Sequence, residues 1–415
     1  MNTSNSSSDN PACGNASRHS NVVVLALAQG LFTAAIAIDL TLTGLTGYEL
    51  APDKSLATLP FALITVAGAI ATYFASTLMQ KVGRRRGFVL GALIGSIGGL
   101  VSVWAVFLGS FWLFCIGTAA VGVFQAFAQY YRLAATDSEP DGRKARAISL
   151  VLAGGVIAAL LGPLLASWST DLLPALFAGS YLMVGLLGLA SAALLWLGYR
   201  DAPPEPLVLP GHEQSPRKLR TILTQPVSLA ALANNVIGGV VMMFIMTATP
   251  LAAVANQHSI SDGASIIQWH LVGMYAPSLF AGRLIALLGL PPILFLGMAL
   301  CAACAVIANF STSLVAFYMA LLCLGVGWNF MFVGGTTLLT SSYAACEKAK
   351  VQGVAELFQY TFTAFATLAA GPVLQLMGWK NMNAVVLPLI VVSAVFTVRW
   401  MRAERNAKPL VVESA

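Results

Sequence analysis

The chain has 415 residues, of which 58% are hydrophobic and only 9% are charged. A soluble domain carries about 25% charged residues, because its surface must face water. The composition therefore excludes a soluble globular protein and indicates a chain whose surface lies mostly against lipid. The net charge of +6 follows from membrane topology, as the positions of the cations below indicate, so it does not imply a nucleic-acid partner.

Apolar runs, separated by short polar or Pro/Gly stretches, follow one another along almost the whole chain. A helix needs about 20 apolar residues to cross a bilayer, so this pattern predicts an all-α membrane protein with twelve transmembrane helices. The first six predicted spans are 22–48, 56–79, 88–108, 111–134, 148–168 and 175–198. The other six are 227–256, 266–287, 291–309, 313–335, 352–378 and 384–401.

The grouping of the runs predicts a chain of five regions. They are a disordered N-terminal tail (1–20), an N-terminal six-helix bundle (21–198), a cytoplasmic connector (199–226), a C-terminal six-helix bundle (227–402) and a cytoplasmic tail (403–415). Nineteen of the 22 lysines and arginines fall on one side of the membrane if both termini are cytoplasmic. Cytoplasmic loops carry such an excess of cations, so we expect a multi-pass protein of the bacterial inner membrane with both termini inside.

The two halves repeat short patterns at matching places. The pattern Ser76-x-Leu78-x-Gln80-x-x-Gly83 after span 2 aligns with Gly282-x-Leu284-x-Ala286-x-x-Gly289 after span 8. Gly162-Pro163 in span 5 aligns with Gly371-Pro372 in span 11. Two parallel halves of six spans joined by a polar connector resemble the major facilitator superfamily. The resemblance implies two pseudo-symmetric six-helix bundles and secondary transport by alternating access.

The loop between spans 2 and 3 resembles the conformational loop of the same superfamily. Its candidate residues are Lys81, Gly83, Arg84 and Arg85, in which the glycine supplies a tight turn and the arginines can reach helix ends and carboxylates. The superfamily has an acidic residue at the position of Gln80 and a glycine at that of Ser76. The alternative is that these cations only anchor the loop on the inner side of the membrane.

Spans 7 and 8 carry methionine and histidine at helical spacing. Met242 and Met246 lie four residues apart, as do His270 and Met274, so each pair shares one face of its helix. Thioether and imidazole ligands suit Cu(I) better than hard cations, and an ionisable residue inside a membrane is functional by default. The structural alternative is that the methionines fill gaps in the core.

This paired pattern resembles the CcoA-like copper importers, a bacterial branch of the superfamily. The resemblance implies that Met242, Met246, His270 and Met274 carry copper as the transported substrate, with no permanently bound cofactor. The same extended branch contains a riboflavin carrier, so an importer of an organic molecule such as riboflavin is the alternative. Its aromatic stacking faces would be Phe124, Trp269, Tyr275 and Trp328. A drug or metabolite exporter is a further alternative.

Other polar residues inside the spans extend the set of candidates. Asp39 and Glu356 are candidate proton carriers, because a buried carboxylate is costly unless it is protonated or paired. Asn234, Asn235, Trp269 and Trp328 are candidates for lining a cavity, and the amides can equally form interhelical hydrogen bonds. No nucleophile–base pair, Walker-type loop or dinucleotide fingerprint occurs in the chain. We therefore expect a monomeric transporter whose partners are the bilayer and a small substrate, and not an enzyme.

Overall fold

The fold was analysed in a computed structural model that describes residues 11–137, 144–201, 217–344 and 347–407. These residues form fifteen α-helices and one short 3-10 helix, Lys54–Leu56, and they contain no β-strand. The helices of the first half are α1 (Pro11–Leu50), α2 (Leu59–Val82), α3 (Arg84–Leu108), α4 (Phe111–Ala128), α5 (Tyr131–Asp137), α6 (Lys144–Ser169) and α7 (Ala178–Gly198). A connecting helix, α8 (Leu219–Leu223), precedes the second half. The helices of that half are α9 (Pro226–Ala255), α10 (Ile260–Tyr275), α11 (Ser278–Leu288), α12 (Leu290–Phe310), α13 (Leu314–Thr340), α14 (Lys348–Ala384) and α15 (Leu387–Ala407).

Several predicted spans differ in detail from the corresponding helices in the structure. Span 4 is divided into α4 and α5, and span 8 is divided into α10 and α11, which meet at an angle of 43°. The second break falls at Pro277, whose ring removes a backbone donor and interrupts the helix. Helix α1 begins at Pro11, so it extends ten residues into the segment predicted as a disordered tail. Within the described ranges, nine helices are long and apolar enough to cross a membrane, or ten if the bent pair is one span.

The helices form two bundles, as the sequence predicted. In the first half α1 packs on α6, and α3 packs on α4 and α7; in the second half α9 packs on α13, α14 and α15. Small residues bring the helix axes close together, because they let backbones approach. A Cβ at Gly98 would lie 2.6 Å from the carbonyl oxygen of Gly117, and one at Gly297 would lie 2.8 Å from that of Gly327.

The two ends of the bundles differ in charge. We call one the basic end, because the cations of the described loops and helix ends gather there: Lys81, Arg84, Arg85, Arg86, Arg200, Arg217 and Arg399. The other is the opposite end. The halves meet toward the opposite end, where the backbone N–H of Gly371 donates to Thr58 Oγ1 at 3.1 Å. Gln268 Nε2 also donates to the carbonyl oxygen of Leu160 across the halves at 3.0 Å.

Candidate substrate site

Three of the four residues predicted to carry copper lie together between the halves. Met242 and Met246 of α9 and Met274 of α10 belong to one buried apolar cluster, which we call the methionine cluster. Helices of both halves build it, and its remaining buried members are Ala37, Leu40, Phe61, Ile64, Ile267 and Leu271. The three methionines are only 4–7% exposed. The structure therefore brings these three methionines together, while their role as ligands stays a prediction.

His270 lies beside this cluster but is tied to another helix. Its side chain is fully buried, and Nδ1 lies 2.7 Å from the carbonyl oxygen of Leu321 in α13. With the proton on Nδ1, that nitrogen donates to the carbonyl and Nε2 keeps a lone pair. Nε2 is buried without a hydrogen-bond partner. In the described residues no group of three or more His, Cys, Asp and Glu side chains can hold a metal ion, so a metal here would depend on the thioethers.

Two of the aromatic residues predicted to stack on an organic solute adjoin the methionine cluster. Tyr275 and Trp328 are half-buried and pack against it. The Trp328 ring stacks on Phe332 with centroids 5.0 Å apart, and its Nε1 is buried without a hydrogen-bond partner. Phe124 is instead 1% exposed inside the first bundle, and Trp269 is 52% exposed on α10 outside the cluster.

The asparagine side chains make interhelical contacts, which was one of the two alternatives. Asn234 Nδ2 donates to Thr397 Oγ1 of α15 at 2.9 Å and to the carbonyl oxygen of Ala230 at 2.9 Å. Asn235 is buried, and its Oδ1, which has no hydrogen-bond partner, lies close to the position that a Cβ on Gly335 of α13 would take. The Asn234 amide therefore links α9 to α15, and Asn235 packs against α13.

Asp39 lies inside the first bundle, between α1 and α7. It is fully buried, Thr43 Oγ1 donates to its Oδ1 at 3.2 Å, and its Oδ2 has no hydrogen-bond partner. The Tyr181 hydroxyl donates to Thr46 Oγ1 at 3.0 Å and lies 3.4 Å from Thr43 Oγ1. Among the described residues, no cation forms an ion pair with Asp39.

Glu356 is the second candidate proton carrier, and it faces Arg132, a cation for which the sequence indicated no role. Arg132 of α5 lies within electrostatic range of Glu356, Tyr275 and Tyr360 in the second half. Gln129 Oε1 accepts a hydrogen bond from the Arg132 guanidinium at 3.2 Å. Arg132 and Glu356 are both exposed side chains, and they belong to different halves. The signal that could have found Arg132 is its position near the end of an apolar run.

The loop between α2 and α3 finds its acidic partner at a position that the sequence pattern did not indicate. Gly83 adopts φ +90°, and the backbone N–H of Arg85 donates to Asp201 Oδ1 at 2.8 Å. The Arg85 guanidinium donates to the Trp196 carbonyl oxygen and lies 4.7 Å from the centre of the Trp196 ring. Asp201 thus supplies, from the end of α7, the negative charge that Gln80 lacks. It lies at the N-terminus of α3, where a carboxylate is favourable.

The second half has its own ionic contact at the basic end. Arg217 Nε donates to Glu347 Oε1 at 2.9 Å, and its terminal nitrogen donates to Oε2 at 2.8 Å. The same nitrogen donates to the Ser342 carbonyl oxygen at 3.0 Å. These hydrogen bonds lower the pKa of Glu347 to about 2. The contact fastens the end of the connector to the loop between α13 and α14.

Two helical bundles that meet around a buried apolar cluster, with polar and aromatic groups beside it, define a polytopic membrane transporter. Residues 21–276 match the sequence model of the Major Facilitator Superfamily. The chain belongs to this superfamily. The predictions of a transporter, of twelve helices in two bundles and of membership in the superfamily are therefore confirmed.

Relatives cover most of the chain. It is 38% identical to the riboflavin transporter RfnT of Brucella anthropi over 371 residues, which are 89% of this chain and 93% of that protein. It is 28% identical to the uncharacterized MFS-type transporter YdeG of Bacillus subtilis, over 80% of this chain and 81% of that one.

Solved structures show the same fold at low identity. A POT-family peptide transporter in an autoinhibited form superposes with a TM-score of 0.65 and 12% identity, covering 94% of this chain and 97% of that one. A bacterial homologue of the human lysosomal transporter Spinster, in an inward-facing and occupied conformation, gives a TM-score of 0.65 and 16% identity over 92% and 96% of the two chains.

Proposed function

We propose that this protein imports riboflavin or a closely related planar solute by alternating access. The observation that carries the proposal is the 38% identity to a riboflavin transporter over 89% of the chain. This similarity favours the organic solute over copper, which was the first expectation from the sequence.

The residues beside the methionine cluster suit a flavin-like molecule. Tyr275 and Trp328 offer faces on which a planar ring can stack. The unpartnered Nε1–H of Trp328 is a donor for a ring carbonyl. Arg132, Gln129 and Glu356 offer hydrogen-bonding groups for a hydroxylated chain. An apolar wall with a few polar groups is the usual composition of a small-molecule site.

Transport in this proposal uses a gradient and not nucleotide hydrolysis, because the chain carries no Walker-type loop. Asp39 and Glu356 are the proposed proton carriers. A buried carboxylate with an unpartnered oxygen is stable when it holds a proton or gains a partner, and Asp39 has such an oxygen. By the positive-inside rule the basic end faces the cytoplasm of a bacterial inner membrane, and the solute enters from the opposite end.

The proposal is tested by riboflavin uptake in bacteria that depend on external riboflavin. Cells that express the protein should accumulate riboflavin, and Trp328→Leu or Tyr275→Leu at equal expression should lower uptake about tenfold, because each removes a stacking face worth about 1–3 kcal/mol. Phe124→Leu, in the first bundle, is the control for loss of an aromatic ring elsewhere. Uptake no higher than in cells without the protein would contradict the proposal.

Copper remains a second candidate, because three methionines form one cluster and a buried imidazole nitrogen beside it has no partner. We propose for this case that Met242, Met246, His270 and Met274 pass Cu(I) between them, since soft ligands of modest strength allow release. Met246→Leu or His270→Leu would then abolish copper uptake, measured by mass spectrometry. Unchanged copper uptake in both variants, with riboflavin uptake intact, would remove this candidate.

A further inference from the structure

A cavity of about 500 Å³ lies at the opposite end of the molecule, in the seam between the halves. We call it the seam pocket. Both halves supply its walls: Leu45, Tyr48 and Phe177 come from the first half, and Leu251, Leu374 and Trp379 come from the second. Its volume lies within the range of about 300–1,000 Å³ that is usual for small-molecule sites.

The walls of the seam pocket suit a planar molecule with a polar edge. Tyr48, Phe177 and Trp379 are aromatic, and the other lining residues are mostly aliphatic. Four further lining residues add polar or charged groups, and these are Asn256, Gln375, Glu49 and Lys54. Aromatic and aliphatic walls with a few polar groups bind ring systems and fix their orientation.

Backbone strain gathers at the same place. In the described residues only two non-glycine residues have a positive φ, and these are Phe177 at +70° and Gln257 at +66°. Phe177 lines the seam pocket, and Gln257 follows the lining residue Asn256. Such conformations are strained and cluster at ligand sites. Phe177 thus combines a strained backbone with a buried aromatic ring in the pocket wall.

The seam pocket is separate from the site beside the methionine cluster. No member of that cluster lines it. On α9 the lining residue nearest to the cluster, Leu251, lies five residues beyond Met246, which is about 7.5 Å along the helix. Gly371, which contacts Thr58, and Leu251, which contacts Gly44, belong to the wall of the seam pocket itself. A molecule in the seam pocket therefore touches residues of both halves at the opposite end.

We propose that the seam pocket binds a second molecule of the transported planar solute and thereby inhibits transport. This rests on the proposed function for the identity of the solute. Because both halves build the pocket, its ligand binds only while the halves are together at the opposite end. A ligand that prefers one state shifts the population toward it. Solute at high concentration on that side therefore keeps the halves together at the opposite end. A further solute molecule then cannot enter the transport site from that side.

The test is riboflavin uptake measured against external concentration, with a variant in which the pocket is filled. Ala255 is exposed and lines the pocket, so Ala255→Phe places a ring in the space, and Ala255→Ser is the matched control. In the wild type and in Ala255→Ser, initial uptake should rise, pass through a maximum and fall. At a concentration equal to the Kd of the pocket, half of the closed molecules are occupied, so the rate falls about twofold. In Ala255→Phe, uptake should rise to a plateau.

Equilibrium dialysis of purified protein with riboflavin gives an independent measurement. The expectation is two molecules bound per chain in the wild type and one in Ala255→Phe. A plateau in the wild type, a fall that persists in Ala255→Phe, or equal stoichiometry in both proteins overturns the inference. Normal uptake at low concentration without a later fall contradicts only this inference, whereas no uptake at any concentration contradicts the proposed function. In that case the dialysis result alone decides on the pocket.

Discussion

The opposite end and the basic end of the molecule are held in different ways. At the opposite end the contacts cross from one half to the other, and they are made by small residues and neutral hydrogen bonds such as that of Gly371 with Thr58. At the basic end the hydrogen-bonded ionic contacts of the described residues stay within one half: Asp201 caps α3, and Arg217 pairs with Glu347. Arg132 faces Glu356 across the halves without forming an ion pair. The halves can therefore move apart at the basic end without breaking these charged contacts, whereas opening the opposite end requires a packed seam to separate.

The largest expected effect comes from overpacking the contact between the two halves at the opposite end. A Cβ at position 371 would lie 2.6 Å from Thr58 Oγ1 and 3.0 Å from the carbonyl oxygen of Ser55. Overpacking of this kind costs about 1–3 kcal/mol, which is about 5- to 150-fold in the equilibrium between states. We expect Gly371→Ala to shift the protein toward a conformation open at the opposite end and to lower uptake by a similar factor.

The matched control for this substitution is Gly353→Ala in the same helix, because a Cβ there meets nothing within 4 Å. The measurement is the reaction of a membrane-impermeant maleimide with a cysteine that replaces Leu45. Compared with the protein that carries only this cysteine, labelling should increase when Gly371→Ala is added and stay unchanged when Gly353→Ala is added. Equal labelling in both variants would mean that the contact of Gly371 does not hold the opposite end closed.

A second prediction compares the repeated glycines at the starts of α3 and α12. Gly83 has φ +90° and Gly289 has φ +81°, so alanine is strained at both positions. Only at Gly83 would the new Cβ meet an acid, with Asp201 Oδ2 at 2.8 Å; at Gly289 the nearest atom is Pro291 Cδ at 3.9 Å. Both alanine variants should lose about 1–3 kcal/mol from strain, and Gly83→Ala should lose more.

The difference between these two variants measures the overlap with Asp201, and it is read from thermal unfolding in detergent. A double variant, Gly83→Ala with Asp201→Ala, should recover part of the loss. If Gly289→Ala lowers the Tm as much as Gly83→Ala, then Asp201 does not hold this loop.

The architecture could be predicted from the sequence because span lengths and cation positions depend on the bilayer and not on which helices touch. The grouping of Met242, Met246 and Met274 was also predictable, since i and i+4 residues share a helix face. The break between α10 and α11 could also be predicted, because Pro277 interrupts the helix. The partners of Arg85 and Glu347 could not be predicted, because they lie 116 and 130 residues away in sequence and depend on how loops approach. The ligand role of His270 stays a prediction.

The third prediction concerns pH at the basic end. The pKa of Glu347 falls from 4.5 to about 2 because of its hydrogen bonds with Arg217 and the backbone of Ala344. A carboxyl whose pKa is lower in the folded state stabilises the protein above its unfolded pKa, and the stabilisation is lost as the pH falls toward the folded pKa. Wild type should therefore have a higher Tm than Glu347→Gln between pH 5 and pH 7, and the difference should shrink as the pH falls from about 4.5 toward about 2. A difference that does not vary with pH would contradict this.

The smallest expected effect tests the neutral contacts inside the second bundle. Asn234 donates to Thr397 Oγ1 between α9 and α15, and interhelical hydrogen bonds in membrane proteins contribute about 0.6 kcal/mol on average. Asn234→Leu should lower stability by about this amount, and adding Thr397→Val should cost little more, because the two side chains share one bond. The KM for riboflavin should stay within about twofold of wild type if the amide serves packing. A large rise in KM with unchanged stability would place Asn234 in the substrate path. Its hydrogen bond would then not be an example of the neutral packing contacts that distinguish the interior from the charged contacts of the loops.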